Sequence, residues 1–226
     1  MLSLPNTLEI TETQTQWRNL IDKGSQSLGH QLTEHQLGLL VSFLEQLVKW
    51  NKAYNLTAIR DPLEMIKLHI FDSLSIIEPL VKLDAQRYID IGTGAGLPGM
   101  VLAIIWPHKT IHLLDTNGKK TRFLTQFKHL HQLKNVEIFN QRCEQFRPDM
   151  AYDVVLSRAF ATISDMLEGC HHLVTHQGVF VAMKGIYPQQ ELDAMPTHYS
   201  LLNCQILQVP GVDAKRHLLI IKKQLM

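Results

Sequence analysis

Four of the twelve glycines in this 226-residue chain fall within eight positions, in Asp90-Ile91-Gly92-Thr93-Gly94-Ala95-Gly96-Leu97-Pro98-Gly99. The run follows a strand-like stretch, Tyr88-Ile89-Asp90-Ile91, and precedes a helical one, Met100 to Trp106. Glycines between a strand and a helix let the backbone turn tightly and approach a ligand closely. The helix N-terminus beyond them favours negative charge. Few folds place such a loop anywhere but at the carboxyl edge of a parallel sheet.

The rest of the chain fits such a sheet. Further strand-like runs are Ile111–Leu114, Val136–Phe139, Asp153–Leu156 and Val179–Met183, with a closing hairpin pair at Cys204–Val209 and His217–Ile221. Helical stretches lie between them: Phe123, Leu124, Phe127 and Leu130 mark one, and Ile163 to Leu173 another. Alternating strands and helices imply a mostly parallel sheet covered on both faces. Before Arg87 the pattern is helical. Residues 1–12 read as frayed, and Trp17, Leu20, Ile21 and Leu28 indicate a first helix. Thr33 and Gln36 form a capping box for a second, whose stripe is Leu37, Leu40, Val41, Leu44, Leu47 and Val48 and whose end falls at Asn51 to Asn55. Asp61-Pro62 starts a third, with Ile66, Ile70, Leu74 and Ile77 as its stripe and Pro79 as its stop. The expected organisation is an extension and helical cap over residues 1–84 and a Rossmann-like domain over 85–226, together one compact unit.

Two cofactor classes use a glycine loop of this kind. Gly94, Gly96 and Gly99 satisfy GxGxxG, the dinucleotide pattern, which by itself discriminates little. Asp90 points the other way. A carboxylate at the strand end would face a pyrophosphate with like charge, whereas it attracts the ammonium or sulfonium of S-adenosylmethionine. Asp115, 23 residues after Gly92, has the spacing of an acid that accepts from ribose hydroxyls. Both classes use that acid, and a strand-end Asp that caps the next helix is the plain alternative. The carboxyl-edge rule places Asp90, Asp115, the Cys143-Glu144 loop, Arg158 and Lys184 along one crevice.

Composition narrows the setting. A net charge of +1 is low for a protein that grips naked nucleic acid over a long footprint, so an RNA substrate would need a local basic surface or presentation by a larger particle. Three scattered cysteines form no CxxC pair, and twelve histidines form no HExxH, so no metal site is expected. No apolar run has the ~20 residues of a bilayer crossing, and no secretory pattern opens the chain. A cytoplasmic monomer with no membrane association is the expectation.

Several motifs in order closely resemble the bacterial glucose-inhibited division protein B family, the ribosomal RNA small-subunit methyltransferase G enzymes. They are Trp50-Asn-Lys-Ala-Tyr-Asn-Leu-Thr57, His69 with Asp72-Ser73, the glycine loop, Leu114-Asp115, Arg122-Phe123-Leu124, Ser157-Arg158-Ala159-Phe160-Ala161, Lys184-Gly185 and Arg216-His217-Leu218. The likeness runs from about Leu32 to Lys223. It implies a class I methyltransferase fold with a seven-stranded sheet, S-adenosylmethionine as cofactor, and N7-methylation of one guanosine in the decoding-region hairpin of 16S rRNA, presented within the small subunit. It also implies cofactor contacts at Gly92, Leu97, Cys143-Glu144 and Arg158, to which the loop chemistry adds Asp90, Gly94, Gly96 and Asp115. Position 143 varies in the family, so Cys143 is read as acting through its backbone.

The chemistry agrees in what is lacking. Guanine N7 carries an exposed lone pair, so no general base is required and no catalytic residue is assigned. There is no [DN]-PP-[FYW] motif for an exocyclic amine and no cysteine set for attack on a pyrimidine. Substrate contacts are expected from Tyr54, Asn55, Lys119, Lys120, Arg122, Arg142, Lys184 and Arg216. The competing readings are a methyltransferase of the same fold acting on another RNA, a protein or a small molecule, an NAD-dependent oxidoreductase, and a non-catalytic ribosome-binding protein.

Overall fold

The computed structural model describes residues 11–158, 160 and 162–224. Most of the stretch expected to be frayed, residues 1–10, lies outside the described residues, and Glu12 already opens a helix. The cap comprises α1 (Glu12–Ser27), α2 (Glu34–Tyr54), α3 (Pro62–Met65), a π-helical turn (Ile66–Phe71), α4 (Asp72–Leu74) and α5 (Ile77–Val81). The sheet region follows as β1 (Arg87–Ile91), α6 (Gly99–Ile105), β2 (Thr110–Asp115), α7 (Gly118–Leu130), β3 (Val136–Asn140), a 3-10 turn (Cys143–Gln145), β4 (Tyr152–Ser157), α8 (Ile163–Cys170), β5 (Val174–Lys184), α9 (Gln189–Asp193), β6 (Tyr199–Val209) and β7 (Val212–Lys223).

The seven strands are ordered β3-β2-β1-β4-β5-β7-β6. Strands β1 to β5 are parallel, and β7 pairs antiparallel with both β5 and β6. The strand order reverses between β1 and β4, the switch point where an open α/β sheet leaves a crevice. The loops after β1, β2 and β4 open there.

Alternation along β1 distributes the core. Tyr88 joins an apolar cluster shared with the cap, α6 and α7, while Ile89 and Ile91 join a second cluster with α8 on the other face. The cap is therefore welded to the sheet through one continuous core. On α2, Leu40, Phe43, Leu44 and Leu47 are fully buried, each contributing about 1.5–3 kcal/mol. The Phe43 ring meets Phe123 and Phe127 of α7 at 5.8 and 5.2 Å. Of the four residues that mark α7, Leu130 is exposed, because the helix passes the edge of the core there.

The Thr33 capping box forms as expected. The Gln36 N–H donates to Thr33 Oγ1 at 3.2 Å, and the Thr33 N–H donates to Gln36 Oε1 at 2.8 Å. Thr33→Ala should lower stability by about 1 kcal/mol, read as a lower urea midpoint with unchanged slope. The third helix differs from expectation. Its period widens to a π turn at Ile66–Phe71, and Pro79 lies inside α5 rather than ending it. Proline is tolerated there because α5 is only starting, where an N–H has no intrahelical acceptor.

Candidate active site

Asp90 organises the glycine loop from below. Its Oδ2 accepts from the Thr93 hydroxyl at 2.7 Å and from the Gly99 N–H at 2.8 Å. The side chain is fully buried, and Oδ1 has no hydrogen-bond partner. Burial raises its pKa from 3.8 to about 6, against the lowering effect of the Thr93 and Gly99 bonds and of Arg158.

Asp115 fastens the loop from above. The Gly94 N–H donates to its Oδ2 and the Asn117 N–H to its Oδ1, both at 2.8 Å. The N–H groups of Gly92 and Thr93 donate to the Leu114 carbonyl at 2.8 and 3.1 Å. The loop between β1 and α6 is thus tied to the end of β2. Gly92, Gly94 and Gly96 all have positive φ, which explains the glycines at those positions.

Two cavities meet at this loop, with Gly92 and Lys120 in both walls. The first, about 270 Å³, is lined by Ile91, Leu114, Phe160, Asp115, Thr116, Gln141, Arg142, Cys143 and Glu144 as well. It joins apolar walls to two carboxylate residues, Asp115 and Glu144. The second, about 190 Å³, is formed by Thr93, Gly94, Ala95, Leu97, Leu56, Thr57, His69 and Arg158. Its far wall comes from the cap, and the π turn is what presents His69. The π turn is a distortion often found at functional sites.

His69 Nε2 lies 2.9 Å from the Thr57 hydroxyl and Nδ1 lies 3.0 Å from the Leu68 carbonyl. Burial, then the neighbouring Arg158, lowers its pKa to about 4. The ring is therefore neutral near pH 7, with Nδ1–H donating to Leu68 and Nε2 accepting from Thr57. Arg158, just past β4, donates from Nη1 to Asp72 Oδ2 at 3.1 Å. Asp72 sits in α4, so this ion pair clamps the cap to the carboxyl edge of the sheet.

The expected site residues separate into groups. Gly94, Leu97, Asp115, Cys143, Glu144 and Arg158 line one of the two cavities, and Gly92 lines both. Asp90 and Gly96 line neither. Asp90 lies beneath the loop, and a Cβ on Gly96 would come within 2.5 Å of Leu124 Cδ2, so that glycine is required for packing on α7. Lys120 and Arg142, expected at the RNA, stand in the cavity walls beside Asp115 and Glu144. Their placement follows from the tight turns after β2 and β3, which keep both residues close to the sheet edge. Cys143 is buried with its thiol pKa raised by that burial, which disfavours a nucleophilic role.

Lys184 and Arg216 belong to a third cavity considered below. Tyr54, Asn55, Lys119 and Arg122 line none of the three. The Tyr54 ring lies 5.1 Å from that of Trp50, tilted by 38°, and Asn55 ends α2 in the left-handed conformation. Lys119 and Arg122 lie exposed on α7. Residue-by-residue chemistry missed Thr57, His69 and Asp72. The only signal for them was their position inside the motifs of the cap, where nothing in the spacing of Asp72 indicates a partner just past β4.

The family model for rRNA small subunit methyltransferase G matches residues 36–219. The chain belongs to that family. Among its relatives, the ribosomal RNA small subunit methyltransferase G of Shewanella frigidimarina is 50% identical over 85% of this chain and 92% of its own length. The protein of the same name from Stutzerimonas stutzeri is 45% identical over 89% of this chain and 93% of its own. The crystal structure of TrmN from Thermus thermophilus shares the fold, with a TM-score of 0.54 and 16% identity over 67% of this chain and 48% of that one. Family membership makes this chain a methyltransferase and sets aside the oxidoreductase that GxGxxG left open.

Proposed function

We propose that the chain transfers a methyl group from S-adenosylmethionine to N7 of one guanosine in the decoding-region hairpin of 16S rRNA. The observation that carries this reading is the meeting of two cavities at a glycine loop whose underlying carboxylate oxygen, Asp90 Oδ1, is buried without a partner. Such an oxygen needs a donor or a cation. Because Asp90 lines neither cavity, the ammonium group of the cofactor satisfies it through a bridging water.

Asp115, with each oxygen already accepting one N–H, retains lone pairs for ribose hydroxyls in the first cavity. Ile91, Leu114 and Phe160 supply apolar surface for the adenine there. Arg158 and Lys120 are the cations placed to attract the carboxylate of the methionine portion around the second cavity. Bound there, S-adenosylmethionine supplies an electrophilic methyl on a sulfonium. The neutral His69 adds no positive charge against that sulfonium. No side chain needs to remove a proton, because N7 attacks through a free lone pair. What remains for the protein is to hold the two reactants in line and exclude water.

The net charge of +1 favours the small subunit over naked RNA as the form in which the target is presented, with this chain acting as a monomer. The test is methyl transfer from labelled S-adenosylmethionine to small subunits that lack the modification, with the product nucleoside identified by mass. Label in 7-methylguanosine at one site is the expected result. Absence of label despite cofactor binding would overturn the substrate assignment, and equal rates on protein-free 16S rRNA would overturn presentation by the particle.

A further inference from the structure

A third cavity, about 280 Å³, adjoins the second through their shared wall residue Arg158. Asp72, Lys184, Arg216 and His217 supply its polar wall, and Met183, Gly185 and Leu207 complete it. One buried carboxylate here serves two guanidinium groups. Asp72 Oδ2 accepts from Arg158 at 3.1 Å, while Arg216 Nε lies 3.3 Å from Oδ1 without the alignment of a hydrogen bond. Lys184 pairs with Glu191 at 2.8 Å. The three cations thus exceed the two carboxylates by one charge. Among the described residues, neither Arg158 nor Arg216 donates a hydrogen bond from Nη2. Two arginines held close by a shared carboxylate, with donors to spare, are a pre-assembled anion site.

The rim of this cavity has a different character. In the turn after β5, Ile186 is 86% exposed and Tyr187 42% exposed. The Tyr187 ring is held edge-on to His217 at 5.7 Å. An exposed aromatic beside a basic pocket matches the pairing by which proteins hold single-stranded RNA, a cation on the phosphate and a ring under the base.

We propose that this third cavity binds one backbone phosphate of the RNA strand that carries the target guanosine, through Arg216, with Arg158 adding its charge from the wall shared with the cofactor cavity, and that Tyr187 stacks on a base next to it. Asp72 is the positioning residue that keeps the two arginines together. The proposal rests on RNA being the substrate, and it adds where the strand leaves the reaction site: past Arg158, over β5 and β7.

Two variants separate the parts of the subsite. Arg216→Gln removes a partly exposed charge and leaves Asp72 paired with Arg158, and Tyr187→Ala removes only the ring. Each is compared with the unaltered chain in titrations of unmethylated small subunits at several salt concentrations, alongside the KM for the same particles. Arg216→Gln should weaken RNA binding about tenfold at low salt and reduce the slope of log affinity against log salt by about one phosphate contact. Tyr187→Ala should weaken it about tenfold with the slope unchanged. Affinity for S-adenosylhomocysteine and the melting temperature should stay the same in both. An Arg216→Gln protein with the original affinity and slope would overturn the proposal. So would one that loses S-adenosylhomocysteine instead, since Arg216 would then serve the cofactor through Arg158. Because the titrations do not need methyl transfer, failure of the methylation reading alone would appear as unaltered RNA binding without product.

Discussion

Gly96→Val should cost the protein both its cofactor affinity and a large part of its stability. Gly96 has a φ of +90°, a conformation that a β-branched residue adopts only under strain. A Cβ there would lie 2.5 Å from Leu124 Cδ2 and 3.0 Å from Met100 Cβ. Leu124 is buried within α7 and Met100 within α6, so neither side can yield without moving a helix. Backbone strain of about 1–2 kcal/mol and overpacking of about 1–3 kcal/mol would consume a large share of a typical 5–15 kcal/mol. Any relief must come from shifting the loop, which would carry Gly92 and Gly94 away from both cavities. The expected result is a melting temperature lower by roughly 5–15 °C and no measurable heat on titration with S-adenosylhomocysteine. A valine variant that melts with the unaltered protein would show that the loop does not pack on α7 as described.

Asp90→Asn should have the opposite effects on stability and on binding. The folded-state pKa of Asp90, about 6, lies above the ordinary 3.8. For a group raised in this direction, the stabilising contribution is complete below about pH 4 and is lost as pH rises through about 6. Above that pH the unliganded protein holds a buried carboxylate at a cost of a few kcal/mol. Asparagine keeps an acceptor for Thr93 and Gly99 without the charge. The variant should therefore be at least as stable as the original at pH 8, and its stability should vary less between pH 4 and 7.

Cofactor binding should show the reverse. A cationic ammonium favours the ionised carboxylate, so S-adenosylhomocysteine affinity in the original protein should fall as pH drops below about 6. In the variant it should be at least tenfold weaker at pH 8 and lack that fall. Calorimetric titrations at pH 5 and pH 8 test both statements. Equal affinity in the two proteins at pH 8 would mean that Asp90 shapes the loop and nothing more.

The two residues show where sequence reading succeeded and where it stopped. Asp90 was legible as chemically important because a carboxylate before a glycine loop discriminates between a sulfonium and a pyrophosphate. Its depth was not legible. Alternation assigns it to a face of β1, but only the packed helix α6 shows that the carboxylate is sealed beneath the loop. Gly96 was read as a ligand contact because the glycine pattern treats its members alike. The structure separates them by what lies opposite each Cα: open cavity at Gly94, the α7 side chain of Leu124 at Gly96.

Lys120 and Arg142 make the same point about charge. A cation in sequence carries no address, and both were assigned to RNA on their sign. Turn geometry brings both to the wall of the first cavity. Thr57 and His69 escaped residue-level reasoning because a π turn sets their pairing, and Asp72 because its partners are distant in sequence. Asp72 meets Arg158 and Arg216 only when α4 docks on the ends of β4 and β7.

The sequence by itself determined the order of elements, the parallel sheet, the glycine turn and the identity of the family. Local backbone preference and the periodic spacing of apolar residues act over a few positions, and they are written into the chain directly. Only the tertiary structure decided which carboxylate faces a cavity and which lies sealed, where the π turn places His69, and that one aspartate of the cap holds two arginines of the sheet. Those depend on which surfaces meet when the cap closes on the sheet, because burial and ion pairing arise from neighbours in space.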